Sequence, residues 1–265
     1  MTQVETIRGA IDVGELGTTL MHEHVFVLST EILENYGHAW WDEETRIADA
    51  VAKLRELKAR GVDTIVDPTV IGLGRDVARL RKLNEHVDIN IVVATSLYTY
   101  HDVPFPFRMR GPGTIAEGPE PMIAAFVGDI RDGIGTTGVR AAFLKCAVEH
   151  PQLSSGVERT LRAVARTHVE TKAPITVHTN PKHRNGLEVI RVFGEEGVDM
   201  RSVVLGHSGD SNDIDHLGEL LDSGAILGMD RFGLDWYNPT DKRVATIAEL
   251  CRAGNAGQMV LSHDA

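Results

Sequence analysis

Two hydrophobic periods alternate along this chain from end to end, and that alternation limits the folds open to it. Short apolar runs lie at 18–22 (TTLMH), 63–67 (DTIVD), 89–97 (INIVVATSL), 139–144 (VRAAFL), 174–178 (PITVH), 202–206 (SVVLG), 225–229 (AILGM) and 258–262 (QMVLS). Between them, apolar residues recur at three- and four-residue spacing. In 43–60, for example, Ile47, Val51, Leu54 and Leu57 share one helical face. Similar segments occupy 76–87, 120–132, 157–170, 186–196, 213–222 and 241–252. Eight strands alternating with seven helices fit an α/β (β/α)8 TIM barrel better than a sandwich or a bundle. We therefore expect one domain over residues 1–265.

Local punctuation agrees with this division. Gly61, Gly197 and Gly224 follow helical segments, where glycine supplies the positive φ that ends a helix. The stretch HDVPFPFRMRGPG has too many prolines for a regular helix or a central strand, so it reads as a long loop after the third strand, on the active side of the barrel. The sequence stops at Ala265, directly after the eighth run. The helix and loop expected next are absent from it, and the barrel is expected to be truncated there.

Bulk properties remove several classes. At 265 residues and 42% apolar, the chain is long enough for one such barrel. A formal charge of −11 opposes a nucleic-acid surface, which needs a basic stripe. No apolar run reaches the roughly 18 residues of a membrane span, and MTQVETIRGAID lacks the basic and apolar regions of a secretion signal. Two cysteines, Cys146 and Cys251, suit a reducing cytoplasm.

Metal-ligand residue types sit at the ends of the runs: His22 and His24 in MHEH, Lys145 in AAFLKC, His178 in ITVHT, His207 in VVLGH and Asp264 in LSHDA. Scattered so widely, they do not describe a zinc finger. On barrel strands, they would meet at the C-terminal mouth. His22 and His24 share parity, so an extended backbone points both one way and Glu23 the other. Taken alone, the pair is more often two polar residues at a strand end. His178 and His207, taken singly, are more often hydrogen-bonded rim histidines. Lys145 ends an apolar stretch, where an unpaired ammonium is costly. As a neutral amine it can take up carbon dioxide, and the resulting carbamate can bridge two divalent cations. A strand-end surface lysine or a buried ion pair are the other readings. Asp264 can bind an ion and accept a proton from bound water, or serve as a plain rim carboxylate or helix cap. His263 diverges from Asp264 and is left outside the ligand set.

In this order and on the expected strands, MHEH, FLKC, VHT, GHSGDS, GMDRFG and LSHD resemble the phosphotriesterase-like lactonases of the amidohydrolase superfamily. The resemblance covers essentially the whole chain. It implies that His22, His24 and Asp264 bind the more buried of two metal ions, and His178 and His207 the more exposed. Carboxylated Lys145 and a hydroxide would bridge the pair. Zinc, iron, cobalt and manganese all suit such mixed ligands. It further implies a homodimer that hydrolyses lactones, many of them the N-acyl-homoserine lactones of quorum sensing, with promiscuous action on organophosphate triesters. Tyr98 in TSLYTY matches a tyrosine reaching toward the metal pair, and Arg231 an arginine beside the cleft. GLDWYNPTDKR resembles a short seventh loop, with Leu234, Trp236 and Tyr237 near the entrance. One departure is His178-Thr179-Asn180, where the family often has a second histidine. Asn180 cannot supply that imidazole, so altered support is expected.

The reaction this implies is attack of the bridging hydroxide on a lactone carbonyl. Tyr98 would help stabilise the oxyanion, Asp264 would carry the proton to the ring oxygen, and Arg231 would be accessory. Phe105 and Phe107, with Trp236 and Tyr237, are candidates either for the acyl tail or for local packing. The competing functions are a primary phosphotriesterase and a noncatalytic metal-dependent lactone-binding protein.

Overall fold

In the computed structural model, which describes residues 2–265, eight parallel strands lie edge to edge in chain order. They are β3 (Thr19–Leu20), β4 (Thr64–Asp67), β5 (Asn90–Thr95), β6 (Phe143–Ala147), β7 (Ile175–His178), β8 (Val203–Gly206), β9 (Ile226–Met229) and β10 (Met259–Leu261). Helices cover the outer faces, so a strand such as NIVVAT is apolar over its four central residues and buried along nearly its whole length. The sheet's two ends meet beyond the strands. The His22 N–H donates to Ser262 Oγ at 2.9 Å, the Asp264 N–H to the His22 carbonyl at 3.0 Å, and the His24 N–H to the Ala265 carbonyl at 3.0 Å. These bonds bring the first and last strands together into a nearly closed barrel.

The seven periodic segments are the helices α2 (Glu43–Ala59), α3 (Val77–Asn84), α5 (Pro121–Arg131), α6 (Ser155–Thr171), α7 (Gly186–Glu195), α8 (Ile214–Asp222) and α9 (Thr240–Arg252). Side-chain caps start several of them: Asp42 accepts from Thr45 N at 2.8 Å, Asp76 from Arg79 N at 2.9 Å and Asp213 from His216 N at 3.0 Å. Gly61, Gly197 and Gly224 all have positive φ.

Several elements differ from expectation. An antiparallel hairpin, β1 (Gln3–Thr6) with β2 (Gly9–Asp12), precedes the barrel. It docks on β5, where the Ile7 N–H donates to the Ile91 carbonyl at 2.9 Å. Helix α1 (Thr30–Trp40) is additional to the expected set, and its apolar stripe, Ile32, Tyr36 and Trp40, is exposed instead of facing the core. The proline-rich loop carries one helical turn, α4 (Phe105–Arg108). Pro104 is its N-cap and Pro106 lies in its first turn, where a missing N–H costs no hydrogen bond.

Two strand boundaries matter for the mouth. The sheet ladder of β3 is only two residues long, so His22 and His24 lie beyond it in irregular backbone. The fourth barrel strand begins at Phe143 rather than residue 139, which puts Lys145 at its centre, opposite Thr176, and not at its end.

The outward side of β5 is tied to the helical layer by Asp129 on α5, which accepts from Thr95 Oγ1 at 2.5 Å and Arg75 Nη1 at 2.8 Å. Asp129→Ala strands a mostly buried guanidinium and should cost about 3 kcal/mol of stability, measured by urea unfolding. A loss within experimental error would show that the pair does not hold β5 to its helix.

Candidate metal centre

The side chains at the C-terminal mouth are placed by the strand ends and the bonds that close the barrel. His22 and His24 both point inward, while Glu23 turns the other way. The Glu23 carboxylate accepts from Ser262 Oγ at 2.7 Å and from His263 N and Nδ1, both at 2.9 Å. His263 is thereby spoken for and lies outside the inner group. His178 is the last residue of β7, and His207 follows Gly206 at the end of β8.

Their ring nitrogens form two neighbouring sets. His22 Nε2 lies 3.1 Å from Lys145 Nζ and 3.3 Å from Asp264 Oδ1, and His24 Nε2 lies 3.6 Å from that same oxygen. In the second set, His207 Nε2 is 2.9 Å from His178 Nδ1. The His22 and His207 rings stack with centroids 5.0 Å apart, which joins the sets. All six candidate ligand residues are therefore brought together.

Each imidazole is oriented by its other nitrogen. Asp230 Oδ2 is 2.7 Å from His22 Nδ1, and Asp230 Oδ1 is 2.9 Å from His207 Nδ1. Thr69 Oγ1 lies 2.7 Å from His24 Nδ1, and Glu149 Oε2 lies 2.8 Å from His178 Nε2. A ring that donates its proton outward presents a lone pair inward, which is how a metal-binding histidine is prepared. Burial depresses the pKa of His24 and His207 well below the ordinary value and takes His178 down to about 4, so these three rings are neutral, as ligands must be. Burial also lowers Lys145 to about 8, against the opposing pull of Asp264 and Asp230.

His22, His24 and Asp264 present ligand atoms close enough for one ion, as do His22, His207 and Asp230. In the second group, each Asp230 oxygen stands at hydrogen-bond distance from a different Nδ1, with the Nε2 atoms left for the mouth. We read Asp230 as the group that orients two ligands. Burial would raise its pKa, but the His207 and His22 rings outweigh that and hold it well below the ordinary carboxylate value. Room for it comes from glycine: a Cβ on Gly228 would sit 2.7 Å from Asp230 Oδ2, and one on Gly206 3.2 Å from it.

The remaining candidates surround this group unevenly. The Tyr98 hydroxyl is 3.0 Å from His178 Nδ1 and 2.6 Å from the Tyr100 hydroxyl. Arg231 donates to Asp264 Oδ2 at 2.8 Å and to Asp210 Oδ2 at 2.9 Å, and its guanidinium lies 4.2 Å above the Tyr237 ring. Arg231, Tyr237, Tyr100, Glu149 and Asn180 help line a cavity of about 110 Å3 beside His178. Asn180 donates to Glu149 Oε1 at 2.8 Å, so it supports His178 through that carboxylate. Trp236 is 74% exposed against Tyr237, and half-buried Leu234 lends its carbonyl to the Tyr237 N–H. Phe107 packs on the main core and Phe105 is 70% exposed. Neither phenylalanine is among the residues lining the cavity.

Sequence reasoning passed over Asp230, Glu149, Thr69 and Asp210. Asp230 had a signal, a carboxylate directly after the seventh strand and two residues past a glycine. Glu149 had none, because a loop carboxylate shows its partner only when the loop is folded.

A parallel barrel with such a mouth defines a protein able to hold metal at its C-terminal rim. The sequence pattern of the phosphotriesterase family matches residues 2–265. A phosphotriesterase homology protein of Mycobacterium tuberculosis is 56% identical over 265 residues, 100% of this chain and 81% of the relative. An aryldialkylphosphatase of Saccharolobus solfataricus is 38% identical over 257 residues, 97% of this chain and 79% of the relative. The solved phosphotriesterase of Mycobacterium tuberculosis superposes with a TM-score of 0.97 at 55% identity, covering 100% of this chain and 82% of that one. The chain belongs to the phosphotriesterase family, hydrolase barrels that use a binuclear metal centre.

Two outcomes follow from the ring geometry. Asp230→Asn cannot accept from both Nδ1 atoms and should weaken metal binding about 10- to 100-fold, read by chelator competition; unchanged affinity would remove Asp230 from the support of the centre. For the metal-free protein, the histidines with depressed folded pKa bind protons in the unfolded chain first. The stability they contribute is full above their ordinary value of 6.5 and is lost as pH falls from there toward 4. The thermal midpoint should drop between pH 7.5 and pH 5, and a flat profile would contradict this.

Proposed function

We propose that this protein is a binuclear metal-dependent lactonase, opening N-acyl-homoserine lactones or related esters, with weaker action on organophosphate triesters. His22, His24 and Asp264 would hold the more buried cation, and His178 and His207 the more exposed one. Zinc, iron, cobalt and manganese all suit these ligands. Lys145 would bridge them as a carbamate. The neutral Nζ adds to carbon dioxide, an N–C bond forms, one C–O π pair moves to oxygen, and the amine proton leaves to water. Burial of Lys145 supports this, since it favours the uncharged amine.

When bound, the cations supply an activated water near neutral pH and polarise the ester carbonyl. The chain's own groups move the proton. Asp264 Oδ1 faces the ligand nitrogens, while Oδ2 is gripped by Arg231 at 2.8 Å. That grip is the observation that carries the lactone reading. Arginine does not deprotonate, so a proton taken up by Asp264 cannot be handed through Arg231 to Asp210. Asp264 would therefore pass it directly to a neighbouring oxygen that needs it. The alkoxide of an opened lactone is a poor leaving group and stays tethered beside Asp264, whereas an aryl phosphate releases a phenolate that departs without help. Tyr98, whose pKa burial raises, keeps its proton for donation to a developing oxyanion. Tyr237, Trp236 and Leu234 offer apolar surface for an acyl tail.

The names of two relatives favour a second reading, a primary phosphotriesterase on the same residues. A noncatalytic metal-dependent lactone binder is the third. The lactonase reading also carries a homodimer in the cytoplasm, a compartment that suits the unpaired Cys146 and Cys251.

Specificity constants for a long-acyl homoserine lactone and an aryl diethyl phosphate should favour the lactone. A marked preference for the phosphate would establish the second reading, and tight lactone binding without turnover the third. Lys145→Met should abolish turnover and release metal to a chelator; near-wild-type activity would end the bridging role.

A further inference from the structure

Five non-glycine residues of the described chain have positive φ. Lys172 and Arg184 close helical turns, and His207 and Asp264 belong to the mouth. The fifth is Ser96, at φ 121° in the residue just after β5. It carries two costs together. Its Cβ occupies a conformation suited to glycine, and its Oγ is buried with no hydrogen-bond partner. A glycine would remove both.

Its position gives the hydroxyl a use. In the ladder between β5 and β6, Ala94 stands opposite Phe143 and Thr95 opposite Leu144. Ser96 and Lys145 are the residues that follow the last of these pairs, one on each strand. Thr95 turns outward to Asp129, while Ala94 packs in one cluster with Val66, Val92 and Phe143. On the other side of Ser96, Leu97 packs with Met122, Phe126 and Leu144 in the cluster under the helices. Buried Ser96 thus lies between two residues that turn outward, which leaves it the inner side, the side of Lys145. With the lysine unmodified, Nζ is turned to His22 and the hydroxyl has nothing to bond.

We infer that Ser96 is a positioning residue for carboxylated Lys145, its hydroxyl donating to a carbamate oxygen. A carbamate oxygen that gives one lone pair to a cation keeps another for a donor. The strained backbone aims that donor, and the two costs of the resting protein are the cost of having it ready. The inference rests on the carbamate proposed above, and its test separates the two.

Wild type, Ser96→Gly and Ser96→Ala are stripped of metal, reconstituted with zinc and titrated with 13C-labelled bicarbonate, with the carbamate carbon followed by NMR. Thermal midpoints are taken on the metal-free proteins. Both variants should need about tenfold more bicarbonate for half-occupancy, the effect of losing one hydrogen bond to a charged group. Ser96→Gly should also raise the metal-free midpoint by several degrees, because it relieves the backbone; Ser96→Ala keeps the strain and should gain less. Equal bicarbonate dependence in all three proteins would overturn the role of Ser96 and leave the carbamate standing. A lower midpoint for Ser96→Ala, which loses the hydroxyl alone, would show that the hydroxyl is already bonded in the resting protein, and would overturn it too. No carbamate signal in wild type would remove the bridge and this inference together.

Discussion

A carboxylate sealed from water survives ionised only where donors or cations take the place of the water, and Asp230 meets that condition with the histidines it serves. Its two oxygens hold the Nδ1 atoms of His22 and His207, and it accepts the His207 N–H as well, at 2.8 Å. The arrangement works in both directions. The imidazoles keep the carboxylate charged in a dry place, and the carboxylate keeps their Nε2 lone pairs facing the mouth. Since one ring comes from each of the two candidate ion sets, the position of one carboxylate fixes the spacing of both.

That arrangement depends on backbone more than on side chains. Gly206 and Gly228, on adjacent strands, leave the volume into which the carboxylate fits. The bonds that close the barrel run through the same region, from Asp264 N to the His22 carbonyl and from His22 N to Ser262 Oγ. Closure and chemistry thus share residues. His207 and Asp264 hold positive φ there, a conformation that persists only where neighbours over-determine it.

The barrel was legible because parallel strands covered on both faces are apolar along their length, while their helices carry a single stripe. Both patterns survive in a bare string of letters. The hairpin β1–β2 was not legible, because its residues are mostly half-exposed or exposed and show little apolar signal. Helix α1 carries Ile32, Tyr36 and Trp40 at helical spacing, so its period is in the letters, and only the direction of its stripe, outward, is not. Lys145 was found by its company, yet its strand was misplaced by four residues, because the apolar run VRAAFL begins before the ladder does. Among the site residues, histidines at strand ends stood out, whereas Glu149, Thr69 and Asp210 did not. Carboxylates and hydroxyls are common in loops, and nothing local tells an orienting one from a solvated one.

From its order of residues alone, this chain determined a barrel and the set of side chains that its strand ends would carry to one mouth, because hydrophobic period and strand polarity are properties of neighbours in sequence. Only the tertiary structure decided which nitrogen of each ring faces inward, that Arg231 grips Asp264, and that Asn180 reaches His178 through Glu149. Those are contacts between residues far apart in the chain, set by distances of a few ångströms that no spacing along the sequence encodes.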